Sequence, residues 1–193
     1  MDGYKRRILD DTIDELFPSF AAISIDGARA IGKTSTGRQR AKTVLNLDLP
    51  EVRQLIQADP SYLSRVDSPI LIDEWQLIPE VWDRVRRLVD SDSTGGRFIL
   101  AGSAAPVGVQ IHSGAGRIIN FRMRPLSFAE RNLATPTVRV RDLLSTDTPD
   151  IQGSSEVGLR DYVHESVASG FPQPRQMNDR ARGIWLDDYI ERV

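Results

Sequence analysis

A short apolar segment that runs directly into a glycine-rich loop is the feature that most restricts the fold. Residues 20–25 read Phe-Ala-Ala-Ile-Ser-Ile, which is typical of a buried strand, and residues 27–34 have the form Gly-x-x-x-x-Gly-Lys-Thr. Glycine lets the backbone wrap tightly, so that successive N–H groups face one point, and the N-terminus of a following helix adds partial positive charge. A strand, this loop and a helix in succession are typical of a P-loop, which cradles phosphate groups.

The last two residues of this loop carry its chemistry. We predict that the Lys33 ammonium, exposed in the empty loop, reaches the β- and γ-phosphates of a nucleotide, and that the Thr34 hydroxyl joins the coordination of Mg²⁺. A glycine-rich turn that binds nothing is the alternative. Gly37 is a weak point of the following helix, because glycine costs about 1 kcal/mol relative to alanine there. The predicted nucleotide-binding residues are Gly27, Ala28, Arg29, Ala30, Ile31, Gly32, Lys33, Thr34 and Ser35.

The first 125 residues alternate short apolar segments with helical patterns. Helices are predicted over 9–17, after the loop, over 51–66 with a break at 59–60, and from residue 79. Further strands are predicted at 44–48, 70–72, 97–101 and 117–122. Since no hairpin signal separates the strands, the pattern favours parallel βαβ units. We therefore predict a five-stranded, three-layer α/β domain.

The pattern changes after residue 125. Residues 127–130 have the Ser-x-x-Glu form of a capping box, which predicts the start of a helix, and residues 145–158 are polar and rich in Pro, Gly and Ser. We predict a P-loop domain over 1–140, a loop or linker over 141–158 and a helical segment over 159–193. The last helical pattern reaches Val193 without a stop signal, so we expect the chain to be part of a longer protein.

An acidic pair follows the third strand. Asp73 and Glu74 come directly after the apolar residues 70–72, at the carboxyl edge of a parallel sheet, where ligands of α/β proteins bind. We predict that Asp73 holds Mg²⁺ and that Glu74 acts as a general base on the attacking water. A solvated acidic turn is the alternative, but the P-loop forty residues earlier favours the functional interpretation.

Two further residues are candidates for contact with the γ-phosphate. Ser103 follows the fourth strand, where it would touch the γ-phosphate or the attacking water, or serve only as a turn former. Arg117 follows a loop with two glycines, where it would sense phosphate in its own site, act as a finger in a neighbouring subunit, or lie on the surface. We place Glu74, Ser103 and Arg117 in the predicted catalytic set.

Composition excludes several other chemistries. The chain has no cysteine and only two histidines, His112 and His164, which argues against disulfides, cysteine nucleophiles and the usual zinc sites. No apolar segment approaches the roughly 20 residues that span a bilayer, so we predict a cytoplasmic protein without a membrane partner. The net charge is −2, yet residues 117–141 hold six arginines against one acid. That stretch permits contact with nucleic acid, although such a stretch is more often a solvated surface.

Several motifs together resemble the predicted prokaryotic AAA+ ATPases in which the ATPase module precedes a C-terminal domain of unknown function, number 4143. The similar segments are residues 27–34, 46–48, 72–76, 78–80, 98–103, 115–117, 125–130, 170–172 and 185–190, and they occur in the family's order. The resemblance implies an AAA+ core with sheet order 5-1-4-3-2, ATP and Mg²⁺ as ligands, and a second domain that lies mostly beyond Val193. The chain departs from the family pattern at three positions. Trp75 stands where the family usually has an aliphatic residue, Gln173 where Glu is common, and Ala28 where Pro is usual.

Together these observations predict an ATP-binding, ATP-hydrolysing domain that couples nucleotide state to its C-terminal domain or to a partner. A homo-oligomer is compatible with this prediction. The first alternative is a nucleotide-gated switch with negligible turnover. The second is a P-loop kinase for a small molecule, which the adjacent Asp73 and Glu74 make less favourable than hydrolysis.

Overall fold

The computed structural model describes residues 3–103, 113–133, 135, 137–138, 140–145 and 153–193. The chain forms two compact units, residues 1–124 and residues 125–193. The sequence pattern places a domain boundary near residue 140, and that division stays a prediction.

Five parallel strands form the sheet of the first unit. They are β1 (Ala22–Asp26), β2 (Thr43–Asn46), β3 (Ile70–Asp73), β4 (Phe98–Ala101) and β5 (Ile118–Arg122). Their order is β2-β3-β4-β1-β5, and all neighbouring pairs are parallel. This is the predicted order 5-1-4-3-2 read from the other edge, so the predicted fold class is confirmed.

Four α-helices accompany these strands in the part of the first unit that the structure describes. They are α1 (Ile8–Leu16), α2 (Lys33–Arg38), α3 (Pro50–Ala58) and α4 (Glu80–Ser91). The predicted helix over 51–66 ends at Ala58, because Asp59-Pro60 interrupts it, and a 3-10 turn at Tyr62–Ser64 follows. Pro50 stands at the first position of α3, where its missing N–H costs no helical hydrogen bond.

Apolar side chains alternate between the two faces of the sheet and make a core on each. On one face, Ile70, Ile72, Phe98 and Leu100 are buried in a cluster with residues of α3 and α4. On the opposite face, Leu71 lies under α2. The helices therefore cover both faces, which gives the three layers that the sequence predicts.

Gly37 allows α2 to lie close to the sheet. A Cβ atom at this position would lie 2.6 Å from Leu71 Cδ1 and 3.2 Å from Leu71 Cδ2. The sequence identified Gly37 only as a weak point of the helix. In the structure, the loss of helix propensity is compensated by a close approach of α2 to β3 that no larger residue would allow.

The described residues of the second unit form three α-helices. They are α5 (Val140–Leu143), α6 (Leu159–Ala168) and α7 (Asp179–Arg192). The helices predicted over 159–169 and 180–193 are therefore present. Asn178 caps α7, since its side-chain oxygen accepts a hydrogen bond of 2.9 Å from the Ala181 N–H.

The helix predicted to begin at Ser127 is not formed. The reciprocal bonds of a capping box are present, because the Ser127 N–H donates to Glu130 Oε2 and the Glu130 N–H donates to Ser127 Oγ. The chain then makes only turns, and Asn132 adopts a positive φ of 60°. A left-handed residue ends a helix, so the capping box here closes a single turn.

Glu165 is the charged centre of the second unit. Its carboxylate is buried and forms ion pairs with Arg131 at 3.1 Å and Arg175 at 2.7 Å. Hydrogen bonds from Arg175 and Arg131 hold the pKa of Glu165 below its usual value, against the opposing effect of burial. Nearby, the rings of Phe171, Trp185 and Tyr189 pack together, with centroids 4.8–5.6 Å apart.

This arrangement predicts a pH dependence of stability. Because the pKa of Glu165 is lower in the folded state, the two ion pairs stabilise the fold above the pKa of an unfolded glutamate, and this contribution is lost as pH falls through the folded value. We expect Glu165→Gln to lose about 1–3 kcal/mol at pH 7 and much less at pH 3. Urea unfolding followed by circular dichroism measures the difference. The exposed Glu156→Gln is the control, and an equal loss at both pH values would contradict the prediction.

Candidate nucleotide-binding site

The parallel register brings most of the predicted site residues to one edge of the sheet. Asp73 pairs with Ala101 on β4, which pairs in turn with Ile25 on β1. The residues that follow these strands are the loop from Gly27, the acid Glu74, and the pair Gly102-Ser103. Three neighbouring strands thus deliver the P-loop, the acidic pair and Ser103 to the same edge, as the sequence predicts for ligands of α/β folds.

The loop backbone has the conformation that its glycines require. Gly27 has a φ of 143° and Gly32 a φ of 102°, and Ala30 between them also has a positive φ of 59°. A Cβ at Gly27 would lie 2.3 Å from the carbonyl oxygen of Met123, so only glycine fits beside the end of β5. Ala28, Arg29 and Ala30 are exposed at the tip, as is Ser35 in α2, whereas Ile31 is buried and fixes the loop to the core.

Lys33 lies across the loop and is buried, contrary to the expectation of an exposed side chain. Its ammonium donates to the carbonyl oxygens of Gly27 at 2.9 Å and Ala28 at 2.7 Å, and these acceptors hold the side chain against the backbone. Burial lowers the pKa of Lys33, while the negative charges of Glu74, Asp73 and Asp26 act in the opposite direction. The Lys33 ammonium therefore lies among the three carboxylates, and a phosphate bound at this loop would add further negative charge beside it.

Thr34 and Asp73 are in direct contact. The Thr34 hydroxyl lies 2.9 Å from Asp73 Oδ1 and 2.8 Å from Oδ2, so it donates to this carboxylate. Burial raises the pKa of Asp73, and the hydrogen bond from Thr34 partly offsets that effect. The two residues assigned to the metal are therefore neighbours, although they are 39 positions apart in the chain.

Glu74 occupies a special backbone position. It has a φ of 53° and a ψ of 41°, in the left-handed region, and it ends β3 and starts the 3-10 turn Trp75–Leu77. Its carboxylate accepts a hydrogen bond from the side-chain amide of Gln76. A left-handed glutamate costs about 1 kcal/mol or more, and such strain is common at functional sites.

Ser103 lies at the end of β4 with a buried and unpaired hydroxyl. Its Oγ has no hydrogen-bond partner among the described residues. A buried polar atom without a partner is costly, so such an atom at this edge of the sheet is compatible with contact to a ligand.

Arg117 lies at the opposite edge of the sheet from the P-loop. It precedes Ile118, which pairs with Ala22 at the start of β1, whereas the P-loop follows Asp26 at the end of that strand. Five residues of extended strand separate the two edges by roughly 16 Å. The Arg117 guanidinium forms an exposed ion pair with Asp90 at 2.6 Å. A role in the site of its own chain, one of the options that the sequence left open, is therefore not compatible with this position.

The arginines of the basic stretch over 117–141 differ in their partners and exposure among the residues that the structure describes. Arg117 pairs with Asp90 at one edge of the sheet, Arg131 pairs with the buried Glu165 of the second unit, and Arg122 is exposed at the end of β5. Arg139 and the side chain of Arg141 lie outside the described residues, as does His112. His164 is exposed on α6.

A buried polar network behind the P-loop was not predicted. Arg7, which precedes α1, donates to the carbonyl oxygens of Ile31 at 2.8 Å and Arg124 at 2.7 Å. The fully buried Asp10 accepts from the Arg7 N–H and the Tyr4 hydroxyl and pairs with Arg40. Burial and the bond to Asp10 raise the pKa of Tyr4 to about 12. The contacts connect distant parts of the sequence, and no local pattern indicates them.

The described residues contain neither a membrane-spanning helix nor a cluster of metal-binding side chains. No helix among them is long and apolar enough to cross a membrane. No group of three or more His, Cys, Asp or Glu side chains in the described ranges could hold a metal by itself.

A P-loop after β1, an acidic pair after β3 and the strand order β2-β3-β4-β1-β5 define a P-loop nucleoside triphosphatase fold. A family model described as "AAA domain" matches residues 19–132, more than half of the chain, and the chain therefore belongs to this family. The family implies nucleotide binding by an AAA-type ATPase-like domain.

Two curated mycobacterial proteins are similar to the chain. They are the uncharacterized proteins Mb2031c of Mycobacterium bovis and Rv2008c of Mycobacterium tuberculosis, and each is 35% identical over 103 residues. The match covers 50% of this chain and 23% of each relative, so it spans about a quarter of their length.

Proposed function

We propose that this chain binds ATP together with Mg²⁺ and hydrolyses the ATP to ADP and phosphate. The observation that supports this proposal most strongly is the contact between Thr34 and Asp73, with Lys33 and Glu74 beside them. These four side chains are of the types that phosphoryl transfer requires: a phosphate-binding ammonium, two metal ligands and a base.

The residues at this edge fit both ligands. The P-loop glycines allow close approach of a phosphate, and the Ser103 hydroxyl, which has no partner among the described residues, can donate to a γ-phosphate oxygen. A hydroxyl and one carboxylate suit Mg²⁺, which takes few protein ligands and shares the rest with phosphate and water. Thr34 and Asp73 would hold the ion. When bound, Mg²⁺ would neutralise negative charge on the β- and γ-phosphates.

In the proposed reaction, water attacks the γ-phosphorus while the bond to the β,γ-bridging oxygen breaks. Glu74 would take the proton of the attacking water, and Lys33 would stabilise charge that develops on the phosphate oxygens. Ser103 would orient the γ-phosphate or the water. ADP and inorganic phosphate then leave. The resulting conformational change at the end of β3 would be transmitted to a further domain or a partner.

Steady-state phosphate release, measured beside ATP binding by calorimetry, tests this function. We expect Mg²⁺-dependent binding and measurable release of phosphate. Binding without release would favour the alternative, a nucleotide-gated switch with negligible turnover. Absence of binding would contradict both.

We further propose that Arg117 serves the site of a neighbouring subunit in a homo-oligomer. Its ion pair with Asp90 is exposed and contributes little to stability, so the guanidinium can change partner at small cost. We expect specific activity to rise with protein concentration. Mixing Lys33→Ala with Arg117→Ala subunits should restore turnover, because some interfaces then join an intact P-loop to an intact arginine. Activity that is independent of concentration, together with no recovery on mixing, would contradict this role.

A further inference from the structure

Gln76 lies two residues after Glu74 and holds its carboxylate. The 3-10 turn Trp75–Leu77, closed by a hydrogen bond of 3.0 Å from the Leu77 N–H to the Glu74 carbonyl oxygen, folds the chain back so that the two side chains meet. The Gln76 amide nitrogen donates to Glu74 Oε2. Only the nitrogen end of the amide can face a carboxylate, since the oxygen end would repel it.

The other end of the Gln76 amide points to the end of β4. A Cβ atom added to Gly102 would lie 2.6 Å from Gln76 Oε1 and 2.7 Å from Trp75 Nε1, so Gly102 leaves room for both side chains. Gln76 Oε1 is buried and has no hydrogen-bond partner among the described residues. The residue after Gly102 is Ser103, whose buried Oγ also has no hydrogen-bond partner among the described residues.

The backbone around Gln76 is fixed by packing. Trp75 is 6% exposed and packs against Trp82 of α4, with ring centroids 4.8 Å apart. Because Trp75 anchors the turn, Gln76 has little freedom to leave its position between Glu74 and Gly102. A side chain on a fixed backbone, bonded through its amide nitrogen and with its amide oxygen still unpaired among the described residues, is suited to orienting a neighbouring group.

We propose that Gln76 is a positioning residue that orients the Glu74 carboxylate and links it to the end of β4 at Gly102 and Ser103. By occupying Oε2, the amide leaves Oε1 of Glu74 as the oxygen that faces the attacking water. This role rests on the proposed ATP hydrolysis. It differs from the roles of the phosphate and metal ligands, because Gln76 acts on the base and not on the nucleotide.

Two substitutions of Gln76 test the proposal. Gln76→Met keeps the length of the side chain but removes the amide, and Gln76→Glu places a like charge against Glu74. We expect both to lower kcat about 10- to 100-fold, while the Kd for a non-hydrolysable ATP analogue with Mg²⁺ changes less than about threefold. Gln57→Leu, which removes an exposed glutamine from α3, is the matched control and should leave both constants unchanged.

A second measurement does not need turnover. The affinity for ADP with aluminium fluoride, a mimic of the transferring phosphate, should fall about 10- to 100-fold in Gln76→Met relative to the affinity for the ATP analogue. In a Glu74→Ala background the same substitution should have no further effect, since the carboxylate that it orients is gone. Thermal unfolding of each variant identifies any loss of fold.

The outcomes separate the two proposals. Wild-type binding and turnover combined with an unchanged kcat and mimic affinity in Gln76→Met would overturn the role of Gln76 alone. A loss of mimic affinity that Gln76→Met causes undiminished in the Glu74→Ala background would also overturn it, because the effect would then be structural. A wild-type chain that binds no nucleotide would overturn both proposals.

Discussion

Glu74→Gln should lower the rate of ATP hydrolysis by about 10²–10⁴-fold while ATP still binds with Mg²⁺. The substitution keeps the size and hydrogen-bonding capacity of the side chain but removes the base. The left-handed backbone at Glu74 and the turn that follows do not depend on the charge, so the local structure should persist. Single-turnover phosphate release and calorimetry measure the rate and the affinity separately.

A second carboxylate, six residues after Glu74 in the sequence, provides the control for the loss of charge. Glu80→Gln removes an exposed acid from the first turn of α4 and should leave turnover unchanged. If Glu74→Gln instead weakened ATP binding and kept its rate per bound ATP, Glu74 would be a metal-holding or structural group. The role of Asp73 would then have to be revised as well.

Lys33→Ala should weaken ATP binding by at least about 100-fold, because it removes the charge-assisted contacts to the phosphates. The ammonium is buried and bonded to two loop carbonyls, so its loss also leaves the oxygens of Gly27 and Ala28 without that donor. We therefore expect a small loss of stability in addition to the loss of affinity. Calorimetry and thermal unfolding distinguish the two effects.

Lys42→Ala removes an exposed lysine a few residues after α2 and serves as the matched control. It should bind ATP as the wild type does. Normal affinity in Lys33→Ala, with the fold intact, would contradict the assignment of the P-loop as the nucleotide site.

The sequence predicted the parts of the site that depend on local pattern. Strands β1 and β3 are short apolar segments followed directly by the P-loop and by the acidic pair, so Lys33, Asp73 and Glu74 could be placed beyond the ends of these strands without knowledge of the packing. The order of the strands came from the resemblance, and the structure has the same order.

Features that depend on contacts between distant segments could not be predicted. The bond from Arg7 to the carbonyl oxygen of Arg124 joins residues 117 positions apart. The link between Gln76 and the end of β4 exists only because β3 and β4 are neighbours in the sheet. In the second unit, the capping box at Ser127 formed without its helix, because the conformation of Asn132 decided where the turn ended.

The close approach of Gly37 to Leu71 has a consequence for how sequences of this type can vary. Helix α2 carries Thr34 and β3 carries Asp73, so the distance between the helix and the strand sets the separation of the two proposed metal ligands. A bulkier residue at position 37 would have to be matched by a smaller one at position 71. Without that second change, α2 would move away from the sheet, and the Thr34 hydroxyl would move away from the Asp73 carboxylate. The two positions therefore form one steric unit, and substitutions at either are best assessed in pairs.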